Sequence, residues 1–424
     1  MLMLTRHRIV GVAAVSAVAV ALGGYAVWSG RGGDAKPANT TMSTAARNTA
    51  PGEAETISTD SVDTIDASAE TTGGKSIDTR ESAVPGGVDA LAADCKSEGA
   101  VNLMAIPDDW ANYRNVLASY GEKYPGVTHD VSTPDGGAQE EEDAVRTLSD
   151  QADQPDSVDV SPTIAQDMVD KGLFEPYIPT LAGDIPNALQ DPNHNWVASY
   201  YGLIAIATNT SVVPNPPKTF ADLAKPEYKG LVALNGDPRE SGLAFAGVMA
   251  AALANRGSAD DILPGIQFFA DLKKSGNLGG TDASTAAMLN GKTPIVIDWS
   301  YNVPALKQAL QDAGLTVEVD FPTDGVYGGF SAQGAIRGSP HQACSKLWLE
   351  HILSDDGAIG FLAAGAVPAR YQAMVDAGKI PDDLKPNLPP DDLISQIQFL
   401  TPAQIAKAED VLAANWGPMV ADTG

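Results

Sequence analysis

Basic residues are scarce in this sequence. The 424 residues include 27 Lys and Arg against 54 Asp and Glu, so the formal net charge at pH 7 is −27. Phosphate backbones and anionic lipid surfaces repel so acidic a chain, which argues against nucleic acid and such surfaces as partners. The acid excess favours a cationic ligand weakly, and solubility alone is the simpler explanation.

Catalytic and metal-binding motifs are also lacking. The five histidines are scattered along the chain, with no HExxH and no paired metal-ligand spacing. There is no GxSxG elbow, no GxGxxG and no P-loop. We therefore expect neither an enzyme nor a cofactor or bound metal.

The N-terminus carries a targeting signal. Arg6, His7 and Arg8 form a positive region ahead of an unbroken small-apolar run over residues 9–22. Extended to Trp28, the run reaches about twenty residues, enough to span a bilayer. No cysteine follows it for a lipoprotein anchor. Residues 1–30 are thus a signal peptide or a membrane anchor, and either places the body outside the cytoplasm.

Large apolar side chains are nearly absent from residues 31–94, which are rich in Thr, Ser, Ala, Gly and Asp. Such a segment cannot bury enough surface to offset the entropy cost of ordering, so we predict a disordered linker.

From about residue 98 onward, short apolar runs alternate with amphipathic ones. The predicted strands cover residues 101–106, 127–132, 157–160 and the long apolar run 199–209, with helices between them. This alternation predicts an α/β fold whose sheets are covered on both faces.

One segment, residues 217–242, is especially informative: PKTFADLAKPEYKGLVALNGDPRESG. It predicts a short helix from Thr219, a turn at Gly230, a buried strand over 231–234, and a helix capped by Ser241. The sequence of this segment resembles that of the solute-binding proteins of ABC importers, specifically those with the type II periplasmic-binding-protein fold of polyamine, ferric-iron and thiamine receptors. The resemblance covers residues 98–424.

The resemblance implies two lobes joined by hinge strands, with a ligand cleft between them. The first lobe would comprise residues 95–209 and 323–424, and the second residues 210–322. It further implies a monomer that captures a small molecule and docks on an ABC permease. Cys95 and Cys344 would share the first lobe, where an oxidising compartment favours a disulfide; two separate thiols remain the alternative.

On the first lobe, the resemblance implies ligand contacts from Trp110, Tyr113, Ser161 and Phe330. Ring faces of Trp and Tyr attract ammonium groups. The alternatives are a core-facing helix for Trp110 and Tyr113, and a helix N-cap for Ser161.

On the second lobe, the resemblance implies contacts from Asp237 and Glu240, where carboxylates would bind amines. An Asx turn at Asp237 and a favourable helix-dipole position for Glu240 are the alternatives. Ser241 and its helix N-terminus would instead suit an anion.

A further group of expected ligand residues lies at the end of the strand predicted over residues 294–298. Its members are Asp298, Trp299 and Tyr301. The polyamine receptors have a Trp at the place of Trp299, whereas ferric-iron receptors have two adjacent tyrosines, of which at most Tyr301 is kept.

The sequence departs from the polyamine pattern after Phe330, where no carboxylate follows. Gly328 and Gly329 would open room there. We therefore expect a receptor for a polyamine or related organic cation, with a ferric complex, thiamine, or a phosphonate- or phosphate-bearing solute as alternatives on the same fold. A surface-tethered hydrolase using Asp237, Glu240 and Asp298 is a distant alternative.

Overall fold

The computed structural model describes residues 86–422, and the structural statements below concern that part of the chain. The predicted signal or anchor segment, residues 1–30, lies outside the described residues, as does most of the predicted linker. The helices are α1 (Gly87–Glu98), α2 (Tyr113–Lys123), α3 (Ala138–Thr147), α4 (Pro162–Asp170), α5 (Phe220–Leu223), α6 (Gly242–Ala254), α7 (Leu263–Ser275), α8 (Thr285–Leu289), α9 (Val303–Asp312), α10 (Gln342–Leu353), α11 (Asp355–Ala363), α12 (Tyr371–Asp376), α13 (Asp391–Ile394) and α14 (Pro402–Trp416).

The strands are short except for one. They are β1 (Leu103–Met104), β2 (Val131–Ser132), β3 (Ser157–Val160), β4 (Tyr200–Asn209), β5 (Val232–Leu234), β6 (Leu278–Gly280), β7 (Ile295–Trp299), β8 (Val317–Asp320), β9 (Gly328–Phe330), β10 (Ala332–Ala335) and β11 (Val367–Pro368).

The end of the predicted linker requires a correction. Helix α1 begins at Gly87, inside the segment predicted as disordered, and packs along α10. Leu91 and Cys95 are buried in this contact, and a disulfide joins Cys95 to Cys344. The apolar side chains and the covalent link order a segment whose composition alone predicts disorder.

The described strands form two small sheets and a larger one that mixes parallel and antiparallel pairs. Strand β1 pairs in parallel with β2, and β3 pairs antiparallel with β10. The larger sheet has the order β11-β4-β7-β5-β6, and β8 and β9 also pair with β4. Helices cover these sheets, which gives the α/β architecture that the alternating pattern predicts.

Strand β4 changes partners along its length. Residues 200–203 pair with β9 and β11, whereas residues 204–209 pair with β7 and β8. All ten of its residues are buried. The long apolar strand predicted over residues 199–209 is therefore confirmed as β4, which two groups of strands share.

Helix starts follow the predicted capping residues closely. The Thr219 hydroxyl accepts from the Asp222 N–H at 3.1 Å, and the Ser241 hydroxyl accepts from the Ala244 N–H at 3.2 Å. Gly230 has a φ of +75°, which glycine adopts without the steric cost that a side chain brings. The local predictions for residues 217–242 are therefore confirmed.

Helix α14 packs against α7 and also against α4. Trp416 contacts the Phe269 ring at 5.9 Å, and Gln404 donates to Asp260 at 3.4 Å. The C-terminal helix thus reaches an element of the predicted second lobe. The lobe boundaries at residues 209 and 322 stay predictions.

Candidate functional site

A group of rings and polar side chains lies where β3, β4, β7 and β10 approach the start of α2. We call it the junction cluster, and its members are Trp110, Tyr113, Asp159, Tyr200, Asp298, Trp299, Tyr301 and Gln333. Five of them are sequence-predicted site residues, whereas Asp159, Tyr200 and Gln333 are not.

The rings of the junction cluster join the two predicted lobes. Trp110 meets Tyr301 edge to face at 5.3 Å between ring centroids, and Tyr301 stacks on Trp299 at 5.9 Å. Tyr200 contacts Tyr301 at 5.5 Å and accepts a hydrogen bond from the Trp110 Nε1–H at 2.8 Å. Side chains from residues 95–209 and 210–322 therefore form one continuous aromatic layer.

Trp299 is held by its neighbours on both sides. Its ring also stacks on Tyr327 at 6.2 Å between centroids. A Cβ at Gly329 would lie 2.7 Å from the Trp299 ring, and one at Gly328 would lie 2.6 Å from Ile397. The room expected at Gly328 and Gly329 is thus filled by these side chains, which corrects the expectation of open space.

Asp159 is the centre of a hydrogen-bond network. The Tyr113 hydroxyl donates to Asp159 Oδ2 at 2.5 Å, and Gln333 Nε2 donates to the Tyr113 oxygen at 2.6 Å. Gln333 Nε2 also reaches Asp159 Oδ2 at 3.2 Å. Burial raises the pKa of Asp159 above its ordinary value, although the bonds from Tyr113 and Gln333 oppose this.

Glu141 on α3 lies directly behind Asp159. Its side chain is 1% exposed, and Oε2 accepts from the Asp159 backbone N–H at 2.9 Å. Burial and then the nearby Asp159 charge raise the pKa of Glu141 well above its ordinary value.

Asp298 lies near the end of β7 and is buried, with 8% of its surface exposed. Its Oδ1 accepts from the Trp299 N–H at 2.7 Å and from Asn302 Nδ2 at 2.8 Å. Burial raises the pKa of Asp298 to about 6, although these two bonds act in the opposite direction. Burial therefore makes Asp298 hold its proton more tightly than an exposed carboxyl group does.

Asp237 and Glu240 are not joined to the junction cluster by any hydrogen bond or ion pair of the described residues. Arg239 binds Asp237 through Nη2 at 2.6 Å and Nε at 3.0 Å, and its backbone N–H donates to Asp237 Oδ1 at 3.0 Å. The bonds from Arg239 lower the pKa of Asp237. This is the Asx-turn alternative, and Glu240 is exposed beside it. Both stay predictions as ligand residues.

Ser161 and Phe330 also contact residues outside the junction cluster. The Ser161 hydroxyl accepts from the Ile164 N–H at 3.4 Å and so caps α4. Phe330 packs against Trp196 and Phe399, each at 5.7 Å between centroids. Their ring and hydrogen-bond partners among the described residues lie outside the junction cluster, and both stay predictions as ligand residues.

Two surface cavities lie away from the junction cluster. One of about 440 Å³ is lined by Ser119, Glu122, Lys123, Asp356 and Ile359. The other, of about 210 Å³, lies beside Arg146, Gly172 and Arg337. Within residues 86–422, no group of three or more His, Cys, Asp or Glu side chains is placed to hold a metal ion.

The sequence matches a known family over residues 155–396, more than half of its length, and the family is described as bacterial extracellular solute-binding protein. This chain belongs to that family. It is an extracytoplasmic solute-binding receptor of the kind that serves ABC importers. No match was found among curated proteins.

Solved structures with the same fold include proteins named for different solutes. The periplasmic binding protein AfuA from Actinobacillus pleuropneumoniae, with fructose-6-phosphate bound, aligns with a TM-score of 0.59 at 17% identity, over 76% of this chain and 99% of its own. Iron-bound HitA from Pseudomonas aeruginosa gives 0.58 at 18% identity, over 74% and 98%. The spermidine/putrescine-binding protein PotD from Streptococcus pneumoniae gives 0.55 at 14% identity, over 75% and 99%.

At these identities the comparisons establish the type II periplasmic-binding-protein fold and leave the solute open. None of the helices in residues 86–422 has the length and apolarity needed to cross a bilayer.

Asp159 and Gln333 have a weak sequence signal. Asp159 is a charged residue inside the otherwise buried strand Ser157–Val160, and Gln333 is a buried polar residue of β10. A polar side chain at a strand position expected to be apolar is the pattern that would have identified them.

Proposed function

We propose that this receptor captures a small organic cation, with a polyamine as the leading example, at the junction cluster between its lobes. The supporting observation is a set of three enclosed carboxylates, Glu141, Asp159 and Asp298, none of which forms an ion pair with Lys or Arg. Asp159 is partly exposed as a residue, but its Oδ1 atom is fully enclosed.

Enclosed carboxylates are costly when they are charged and unpaired. They must take up protons, as their raised pKa values indicate, or they must meet a cation. An ammonium ligand would supply that charge with short hydrogen bonds. The faces of Trp110, Trp299 and Tyr301 would cover the methylene groups and add a cation–π attraction.

Ligand entry would require the lobes to separate. The rings of Trp110 and Tyr301 are in contact in this structure, so a solute must part them. Strand β4 changes partners at residues 203–204, which supports a hinge there. Binding would then favour the closed arrangement by bridging both lobes. The permease that receives the solute is implied by the family.

The alternative solutes are less well supported by the junction cluster. A phosphate-bearing solute needs basic partners, and the junction cluster contains no Lys or Arg. Iron held by phenolates requires deprotonated tyrosines, and burial raises the pKa of Tyr113, Tyr200 and Tyr301 well above the ordinary value. A hydrolase would need Asp237, which is bound to Arg239.

Calorimetric titration of the purified protein tests this proposal. The probes are 1,4-diaminobutane, thiamine, fructose-6-phosphate and ferric citrate. We expect saturable binding of the diamine and none of the two anionic probes. Saturation by fructose-6-phosphate or ferric citrate, with the diamine silent, would contradict the proposal. Thiamine binding alone would keep an organic cation and reject a polyamine.

A further inference from the structure

We propose that Asp159 Oδ1 and Gln333 Oε1 together form a subsite for the primary ammonium end of the solute. This inference rests on the proposed function, because it names the atoms that would receive one end of the cation.

Both oxygens are enclosed and neither accepts a hydrogen bond in the structure. Gln333 is only 1% exposed as a whole residue. The Ser331 hydroxyl lies near enough to lower the pKa of Asp159, yet Oδ1 receives no well-formed bond from it. Enclosed oxygen atoms without partners are rare in folded proteins because each carries an uncompensated desolvation cost. Two of them, on residues that are hydrogen-bonded to each other through Gln333 Nε2 and Asp159 Oδ2, indicate that a donor is supplied from outside the chain.

Their positions are fixed by the backbone pairing. Asp159 and Gln333 are directly opposite each other in the antiparallel pair of β3 and β10, so their side chains share one face. The Tyr113 hydroxyl fixes Asp159 Oδ2, and Gln333 Nε2 is bound to Tyr113 and Asp159. One edge of each group is therefore held in place, while the other edge keeps an acceptor ready for a ligand.

The charge around the subsite selects the kind of donor. Glu141 lies behind Asp159 and contacts its backbone N–H. Among the described residues, neither Glu141 nor Asp159 forms an ion pair with a Lys or Arg side chain. A primary ammonium offers three N–H donors for the two oxygens and one positive charge that stabilises the ionised form of Asp159. A quaternary ammonium carries the same charge and no N–H donor.

The test compares two probes of equal charge: 1,4-diaminobutane and its bis(trimethylammonium) analogue. Calorimetric titration of the wild-type protein should give a dissociation constant at least about 10-fold lower for the diamine, because only its N–H groups can bind the two acceptors. Equal dissociation constants, or a preference for the quaternary analogue, would overturn the subsite and leave an organic-cation receptor standing. Failure of both probes to bind would overturn the proposed function as well.

Two variants test whether Gln333 and Asp159 cause the preference for the diamine over its quaternary analogue. Gln333→Met removes the Oε1 acceptor at similar volume, together with the Nε2 bonds to Tyr113 and Asp159. It should raise the diamine dissociation constant about 10-fold while leaving the quaternary analogue within about 3-fold. Asp159→Asn keeps an acceptor for Tyr113 and should weaken the diamine more than the quaternary analogue. The control is Asp143→Asn, which changes charge equally at an exposed position of α3. A Gln333→Met protein that unfolds normally and loses both probes equally would assign Gln333 a structural role and overturn the subsite.

Discussion

At the scale of single residues, Asp298 links protonation to stability. Its pKa is about 6 in the folded protein against an ordinary value of 3.8, so the folded state holds this proton more tightly. Below pH 4 both states are protonated. As the pH rises towards 6, the unfolded state loses its proton first, and the free energy of unfolding falls.

Asp298→Asn should remove this pH dependence. The difference in unfolding free energy between the variant and the wild type should shift in favour of the variant by up to about 3 kcal/mol between pH 4 and pH 7. Urea denaturation at several pH values measures it, with Asp312→Asn on the exposed face of α9 as the control. Parallel pH profiles for Asp298→Asn and the wild type would contradict the assigned burial.

Trp299 provides the second residue-scale prediction. Its ring lies between Tyr301 and Tyr327 in the junction cluster. Trp299→Ala should weaken diamine binding by about 1–3 kcal/mol, because the cation–π face and the apolar cover are lost together. Calorimetry measures the change, and Phe268→Ala on α7 is the control for removal of a partly buried ring elsewhere. Unchanged affinity for Trp299→Ala would remove this ring from the site.

At the scale of elements, α14 stabilises the protein by packing on α7 and α4. Trp416 is 3% exposed and contacts Phe269. Trp416→Ala should lower the free energy of unfolding by about 3–5 kcal/mol, because it leaves a cavity under the helix. Chemical denaturation measures the loss, and Ala403→Gly at an exposed position of α14 should cost only about 1 kcal/mol. Equal effects of the two substitutions would show that this helix face carries little stability.

The elements also show which features the sequence alone can predict. Caps and turns at Thr219, Gly230 and Ser241 are predictable because each depends on neighbours within a few residues. The subsite of Asp159 and Gln333 depends on pairing between residues 174 positions apart, and no local pattern specifies that pairing. The Asp237 bond to Arg239 spans only two positions, so a purely local interpretation identified the observed Asx turn.

At the scale of the whole molecule, the disulfide closes most of the body into one loop. Cys95 and Cys344 are 249 residues apart and join α1 to α10. Replacing both by Ala should lower the free energy of unfolding by about 2–5 kcal/mol, because the unfolded chain regains freedom. Diamine affinity should stay unchanged, because neither cysteine belongs to the junction cluster. Denaturation and titration of the same sample measure stability and diamine affinity separately. A large loss of affinity would contradict the expectation that the disulfide affects stability alone.

The two predicted lobes meet in one layer of rings around enclosed carboxylates, and a small cation at that layer is the central claim. A crystal structure of the protein grown with 1,4-diaminobutane tests it most directly. We expect the diamine in the junction cluster, with one nitrogen beside Asp159 and Gln333 and its methylenes against Trp299 and Tyr301. A diamine bound elsewhere, or a junction cluster still filled by its own side chains at saturating diamine, would contradict the claim.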